Sequence, residues 1–206
     1  MMEYEKMKKG MIYDALTEKI GTEAKNTHRL CEKYNKLGAD DGKRKNKLLK
    51  KLFPNDDFGL FRTMETPIFI DNKEIRIGKN FYSNIHFSFI GGCCVEIGDN
   101  VFIGPYCTLA TGIHSLIAEE RRISVDDNGI PHDYEYGKPI RIGNDVWIAS
   151  NVTICGGVTI GDGSVIGAGS VVTKDIPAGV LAAGNPCKVM REITEKDSMY
   201  IKAKRV

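Results

Sequence analysis

The strongest constraint on this chain is a six-residue repeat. From residue 142 an aliphatic residue followed by a small one returns every six positions: Ile142-Gly143, Ile148-Ala149, Ile154-Cys155, Ile160-Gly161, Ile166-Gly167 and Val172-Thr173. Ile97-Gly98, Ile103-Gly104 and Leu109-Ala110 obey the same rule, and Ile77-Gly78 with Ser83-Asn84 is an earlier piece of it. Repeats of fixed period name an architecture before any local propensity does. Each hexad supplies a short strand and a bend, and three hexads close one triangular coil. The aliphatic residue points into the prism and stacks on its equivalent one coil away. The next position is small because the backbone turns there. Coils hydrogen-bond to their neighbours, so stability adds along the stack. The expected fold is mainly β, a left-handed parallel β-helix with an N-terminal α-helical cap.

The phase of the repeat locates an excursion. Leu109 to Ile142 is 33 residues, five hexads plus three. Residues 112–138 lack the repeat, and a loop of that length in a compact domain usually carries function. A smaller break falls at Gly91-Gly92-Cys93-Cys94. Before the repeat, residues 2–53 read as two or three short helices. Leu30, Tyr34 and Leu37, then Leu48, Leu49 and Leu52, follow helical spacing. Gly10, Gly21, Gly38 and Gly42 punctuate the stretch, Asp40-Asp41 opens the last helix, and Pro54 ends it. The expected organisation is a helical segment 1–56, a β-helix 57–190 with the excursion at about 112–138, and a tail 191–206.

Lys and Arg number 29 and Asp and Glu 27, a net charge of +2, so nothing global points to nucleic acid or an anionic membrane. The run Lys43-Arg44-Lys45-Asn46-Lys47 reads as a solvated helix face. No stretch approaches the roughly 18 apolar residues of a membrane span. The charged start MMEYEKMKKG is not a secretory leader, so the expected location is cytoplasmic. Six cysteines without C-x-x-C or zinc-finger spacing read as reduced, mostly buried thiols.

Several segments resemble the maltose/galactoside O-acetyltransferases, a branch of the hexapeptide-repeat acyltransferases. They are Glu5-Lys6-Met7 with Gly10 and Tyr13, Asn80-Phe81-Tyr82-Ser83-Asn84 against the family's N-F-Y-A-N, and Ile97-Gly98-Asp99-Asn100-Val101. Ile142 to Ile148, Gly167 to Pro177 and Ala183 to Lys188 complete the likeness, which runs over nearly the whole chain. The resemblance implies acetyl-CoA as cosubstrate, no metal, and a homotrimer with active sites between subunits.

Acetyl transfer from a thioester to a hydroxyl needs a base, donors for the tetrahedral oxyanion, and cations for the CoA phosphates. Histidine suits the base near neutral pH. Of the four histidines, His28 reads as a solvated residue of the helical cap, His86 as a strand residue, and His132 as a loop residue within reach of substrate. His114 stands where the repeat breaks, and it aligns with the family's catalytic histidine, although Ser115 replaces the proline that usually follows. The resemblance assigns Asn84 to cofactor and acceptor, and Trp147, Ser150, Ala168, Thr173, Lys174, Lys188 and Arg191 to the cofactor. A backbone N–H near Ser150 is the expected oxyanion donor.

On the acceptor side the expected contacts are Asn84, Tyr82, Asp14 and Asp71. Three places where the family puts polar sugar-binding residues hold Ala15, Ile70 and Gly91-Gly92-Cys93 here. The expectation is therefore a saccharide-like hydroxyl acceptor other than plain galactosides or maltose, with an amino-sugar or antibiotic-like acceptor as the alternative. Competing readings are a covalent mechanism through Cys93 or Cys94, a zinc hydratase, for which no second histidine lies near His114, and a non-enzymatic trimeric scaffold.

Overall fold

The protein is described by a computed structural model covering residues 1–54, 56 and 62–203. The expected boundary at 56/57 and the last residues of the tail fall at or outside the described residues. Six successive coils wind into a three-faced prism, the left-handed parallel β-helix expected from the hexads. Face A stacks Ile75–Ile77, Val95–Ile97, Ile140–Ile142 and Thr159–Ile160. Face B stacks Arg62–Met64, Phe81–Ser83, Phe102–Ile103, Trp147–Ile148, Val165–Ile166 and Val180–Ala183, closed by the antiparallel strand Lys188–Glu192. Face C stacks Ile68–Ile70, Phe87–Ile90, Thr108–Ala110, Thr153–Cys155 and Val171–Val172.

The register is that of the repeat. Ile77, Ile97, Ile142 and Ile160 form one buried column, with Ile176 bridging to Ile160. Ile103, Ile148, Ile166 and Ala182 form a second, and Ile70, Phe89, Leu109, Ile154 and Val172 a third. Each Ile, Leu, Val or Phe of these columns contributes about 1.5–3 kcal/mol by leaving water. The small residue after the column is a steric requirement. A Cβ on Gly98 would lie 2.7 Å from the Gly143 carbonyl carbon of the next coil. The corner between faces A and B needs left-handed backbone, and Asn80, Asn100 and Asp145 supply it at φ 56°, 57° and 57°. Their short polar side chains tolerate that region. They also run a ladder, Asn80 Nδ2 donating to Asn100 Oδ1 at 3.0 Å and Asn100 Nδ2 to Asp145 Oδ1 at 2.9 Å.

The described prism includes the strands Arg62–Met64 and Ile68–Ile70, which the hexads do not reveal because Glu65 and Asp71 follow them where later coils carry small residues. Its open end is capped by α1 (Glu3–Lys8), α2 (Glu18–Asn35) and α3 (Gly42–Leu52). Gly21 does not break the cap; it lies inside α2, where one glycine costs only about 1 kcal/mol. Thr27, Cys31 and Tyr34 form the buried stripe of α2, and Leu49 and Leu52 that of α3. Asn35 pairs with Ile68 as a strand would, accepting from its N–H and donating to its carbonyl, both at 2.9 Å. That edge is thereby closed to other strands. Among the described residues no helix is long and apolar enough to cross a membrane. The tail is ordered as a 3₁₀ turn, Glu195–Asp197, and α4, Met199–Ala203.

Candidate active site

The excursion is not an irregular loop. Its outgoing strand Gly112–Ile113 pairs with its returning strand Tyr134–Gly137, and the far side of that strand pairs with Tyr13–Asp14 of the N-terminal segment. Beyond this three-stranded sheet, Ser124–Val125 and Pro131–His132 form a hairpin. Asp126 turns it by accepting from the Asn128 and Ile130 N–H groups at 2.9 and 2.8 Å.

His114 follows the outgoing strand and is half exposed. Its Nε2 lies 3.6 Å from Glu135 Oε2, on the returning strand. The other Glu135 oxygen accepts from the hydroxyl of Tyr13, a buried residue whose own pKa is pushed up by that burial and by the carboxylate. A histidine, a carboxylate and a phenol drawn from three strands thus form one chain. Such an arrangement can orient an imidazole. Neither Glu135 nor Tyr13 is singled out as catalytic machinery by the sequence. The signal was the register of a two-residue strand against a segment 122 positions away.

Ser115 takes over the stiffening of the turn. Its Oγ accepts from the Ile117 N–H at 3.1 Å and donates to Glu120 at 2.5 Å, and Arg121 binds the Ser115 and Leu116 carbonyls at 3.3 and 2.9 Å. The break at Gly91-Gly92 receives the N-terminal segment. A Cβ on Gly92 would sit 2.3 Å from Met7 Cγ and 2.8 Å from the Tyr13 oxygen.

The other expected residues fall on two different edges of the prism. Asn84, Ser150 and Ala168 follow the second, fourth and fifth strands of face B, so they lie along the B–C edge. The Asn84 side-chain oxygen accepts from the Ile85 N–H at 2.8 Å. The Ala149 N–H is used by Ile166 at 2.9 Å, whereas the Ser150 N–H has no acceptor among the described residues. Thr173 and Lys174 follow face C, stacked beyond Cys155 and Ala110, on the edge from which His114 departs. Both are exposed. Trp147 stands on face B, 54% exposed, beside Phe102, which is 49% exposed and touches the Tyr82 ring.

Five of the residues discussed from the sequence, Asp14, Asp71, His28, His86 and Arg191, have surroundings that the sequence did not show. Asp14 is almost buried and its carboxylate is engaged within the chain: His132 Nδ1 lies 2.7 Å from Oδ2, and the Leu16 and Asp133 N–H groups donate to Oδ1 at 3.1 Å. Asp71 holds His28 Nε2 at 2.9 Å and the Gly91 N–H at 3.1 Å, so His28 is a bracket between cap and prism rather than a solvated residue. His86 sits at a left-handed corner, φ 60°, stacked on Tyr106 at 4.4 Å. Arg191 makes a bidentate pair with Asp197 at 2.7 and 2.8 Å, while Lys188 is exposed without an ion pair among the described residues. Burial pushes the Cys93 thiol up to about 11, which disfavours the thiolate a covalent route needs.

The chain is similar in sequence and fold to known proteins. Residues 6–56 match the maltose acetyltransferase hexapeptide capping motif, and residues 139–174 match the bacterial transferase hexapeptide of six repeats. The galactoside O-acetyltransferase of Escherichia coli K12 is 38% identical over 197 residues, 95% of this chain and 92% of that one. The structure of a maltose O-acetyltransferase from Clostridium difficile 630 superposes with a TM-score of 0.85 at 39% identity, covering 95% of this chain and 99% of the other. A galactoside acetyltransferase in complex with coenzyme A gives 0.84 at 38% identity, covering 96% and 94%. With the capping helices, the hexad prism and the extent of these likenesses in hand, the chain belongs to the maltose/galactoside O-acetyltransferase family of hexapeptide-repeat acetyltransferases.

Proposed function

We propose that the protein transfers the acetyl group of acetyl-CoA directly to a hydroxyl of a saccharide-like acceptor, with His114 as general base. The observation that carries this reading is the His114–Glu135–Tyr13 chain. His114 takes the hydroxyl proton as the oxygen attacks the thioester carbon, and Glu135 stabilises the imidazolium that results. The tetrahedral intermediate collapses with loss of the CoA thiolate, which recovers the proton from His114. The free Ser150 N–H is a fixed donor for the oxyanion. The small residues of the B–C edge suit a pantetheine arm laid along the prism, and Lys174 and Lys188 are cations open to its phosphates.

Asn84, Ser150 and Ala168 lie on one edge and His114, Thr173 and Lys174 on another, so one chain does not assemble the full set. Two neighbouring copies would. Outward side chains distinguish the faces. Face A presents Arg76, Glu96 and Arg141, with Arg141 paired to Glu96 at 3.3 Å, as solvent demands. Face B presents Tyr82, Phe102, Trp147 and Val165, an apolar stripe suited to a subunit interface. A closed homotrimer with sites between subunits satisfies both facts.

His114→Ala should lower turnover by about 10²-fold or more in a thiol-release assay with acetyl-CoA. Unchanged turnover would remove the base assignment. Running the assay across glycosides and amino sugars, with the site of acetylation read by mass spectrometry, separates the hydroxyl acceptor from the amine alternative.

A further inference from the structure

The proposed proton transfer does not use His132, yet carboxylates hold it from two elements. Asp14, on the N-terminal strand, contacts Nδ1 at 2.7 Å, and Asp126, across the hairpin, stands 3.7 Å from Nε2. The Tyr134 ring of its own segment stacks nearly parallel at 5.8 Å. Asp14 is in turn fixed by the Asp133 and Leu16 N–H groups, and its own N–H donates to Glu3 at 2.8 Å. Ala15 adds a backbone bond to the Asp133 carbonyl at 2.8 Å. All these contacts fasten one junction, where the strand Tyr13–Asp14 meets the strand Tyr134–Gly137. Tyr13 and Glu135 are paired residues of that same junction.

We propose that Asp14 and His132 are positioning residues whose contact sets Glu135 against His114. The proposal rests on His114 being the base. A strand pair of two residues has little stability of its own, so its register depends on what clamps its end. Slippage of the N-terminal strand by one residue would turn the Tyr13 side chain to the opposite face, and Glu135 would lose the hydroxyl that holds its second oxygen. The clamp is charge-assisted. Asp14 and Asp126 hold the His132 pKa above its ordinary value, with the Asp14 hydrogen bond as the main cause. The charged form of the contact is therefore complete below pH of about 6.5, and it weakens as pH rises through the raised folded value. The clamp therefore loosens on the alkaline side.

The test compares the full chain with its His132→Ala, His132→Gln and Asp14→Asn variants, using acetyl-CoA and the glycoside or amino sugar that the parent turns over fastest in the acceptor panel, from pH 5.5 to 9.5. His132→Ala should lower kcat about tenfold, the scale of a small misplacement of a catalytic group, with KM for acetyl-CoA unchanged. His132→Gln keeps a neutral donor to Asp14. It should retain most of the activity and lose the alkaline decline of kcat seen in the parent. Asp14→Asn should follow His132→Ala. If His132→Ala does not fold, the His132→Gln pH profile decides. An unchanged kcat in His132→Ala, or an alkaline decline that persists in His132→Gln, overturns the proposal. His114→Ala is run alongside. Its loss of turnover together with silent His132 variants would reject the clamp and keep the base, whereas an active His114→Ala would reject the base itself.

Discussion

Ser83 shows how a single atom can be out of place in an otherwise apolar column. It stands below Ile103 and Ile148, is wholly buried, and its Oγ finds no hydrogen-bond partner among the described residues. An unpaired buried hydroxyl costs about 1–3 kcal/mol. Relatives in the N-F-Y-A-N pattern carry alanine at this place. Ser83→Ala should therefore stabilise the protein by about 1 kcal/mol, with Asn84 undisturbed, and denaturant unfolding measures it; a loss of stability would mean that the hydroxyl is satisfied. The four histidines teach the same lesson at the functional end. Residue type and position in the repeat single out His114. The partners of His28, His86 and His132 lie 43, 20 and 118 positions away, and no local pattern points to them.

At the scale of elements, legibility follows periodicity. The prism from Ile75 onward was readable because one steric rule repeats at every corner. The sheet that holds Glu135 was not, because its N-terminal strand has two residues, too few to show an alternation. The terminal strand Lys188–Glu192 carries a testable consequence of the same kind. Lys188 and Arg191 look equivalent as cations in sequence, but only Lys188 is open, since Asp197 holds the Arg191 guanidinium in a bidentate grip. Removing a charge-assisted phosphate contact costs about 1.5 kcal/mol, roughly tenfold. Lys188→Ala should thus raise KM for acetyl-CoA about tenfold, whereas Arg191→Ala should loosen the tail and leave that KM within about twofold. The reverse order would place the phosphates on Arg191 after Asp197 lets go.

The whole molecule poses the question of where a site is completed. In a ring of three, each site would take His114 from one copy and the Asn84–Ser150 edge from its neighbour. Two inactive variants can then rescue each other. His114→Ala and Asn84→Ala, each damaged on a different edge, should be nearly silent alone. Denatured, mixed in equal amounts and refolded together, they should form rings in which about a quarter of the sites draw both edges from undamaged copies. Turnover should recover to about a quarter of the parent value, and sedimentation equilibrium should give three times the chain mass before and after mixing. Folding the variants separately and then mixing them should restore much less, because subunits exchange only as fast as the apolar stripe of Phe102 and Trp147 is uncovered. If the co-refolded mixture stays as inactive as its parts, both edges serve sites within single chains, and the apolar stripe needs a different partner.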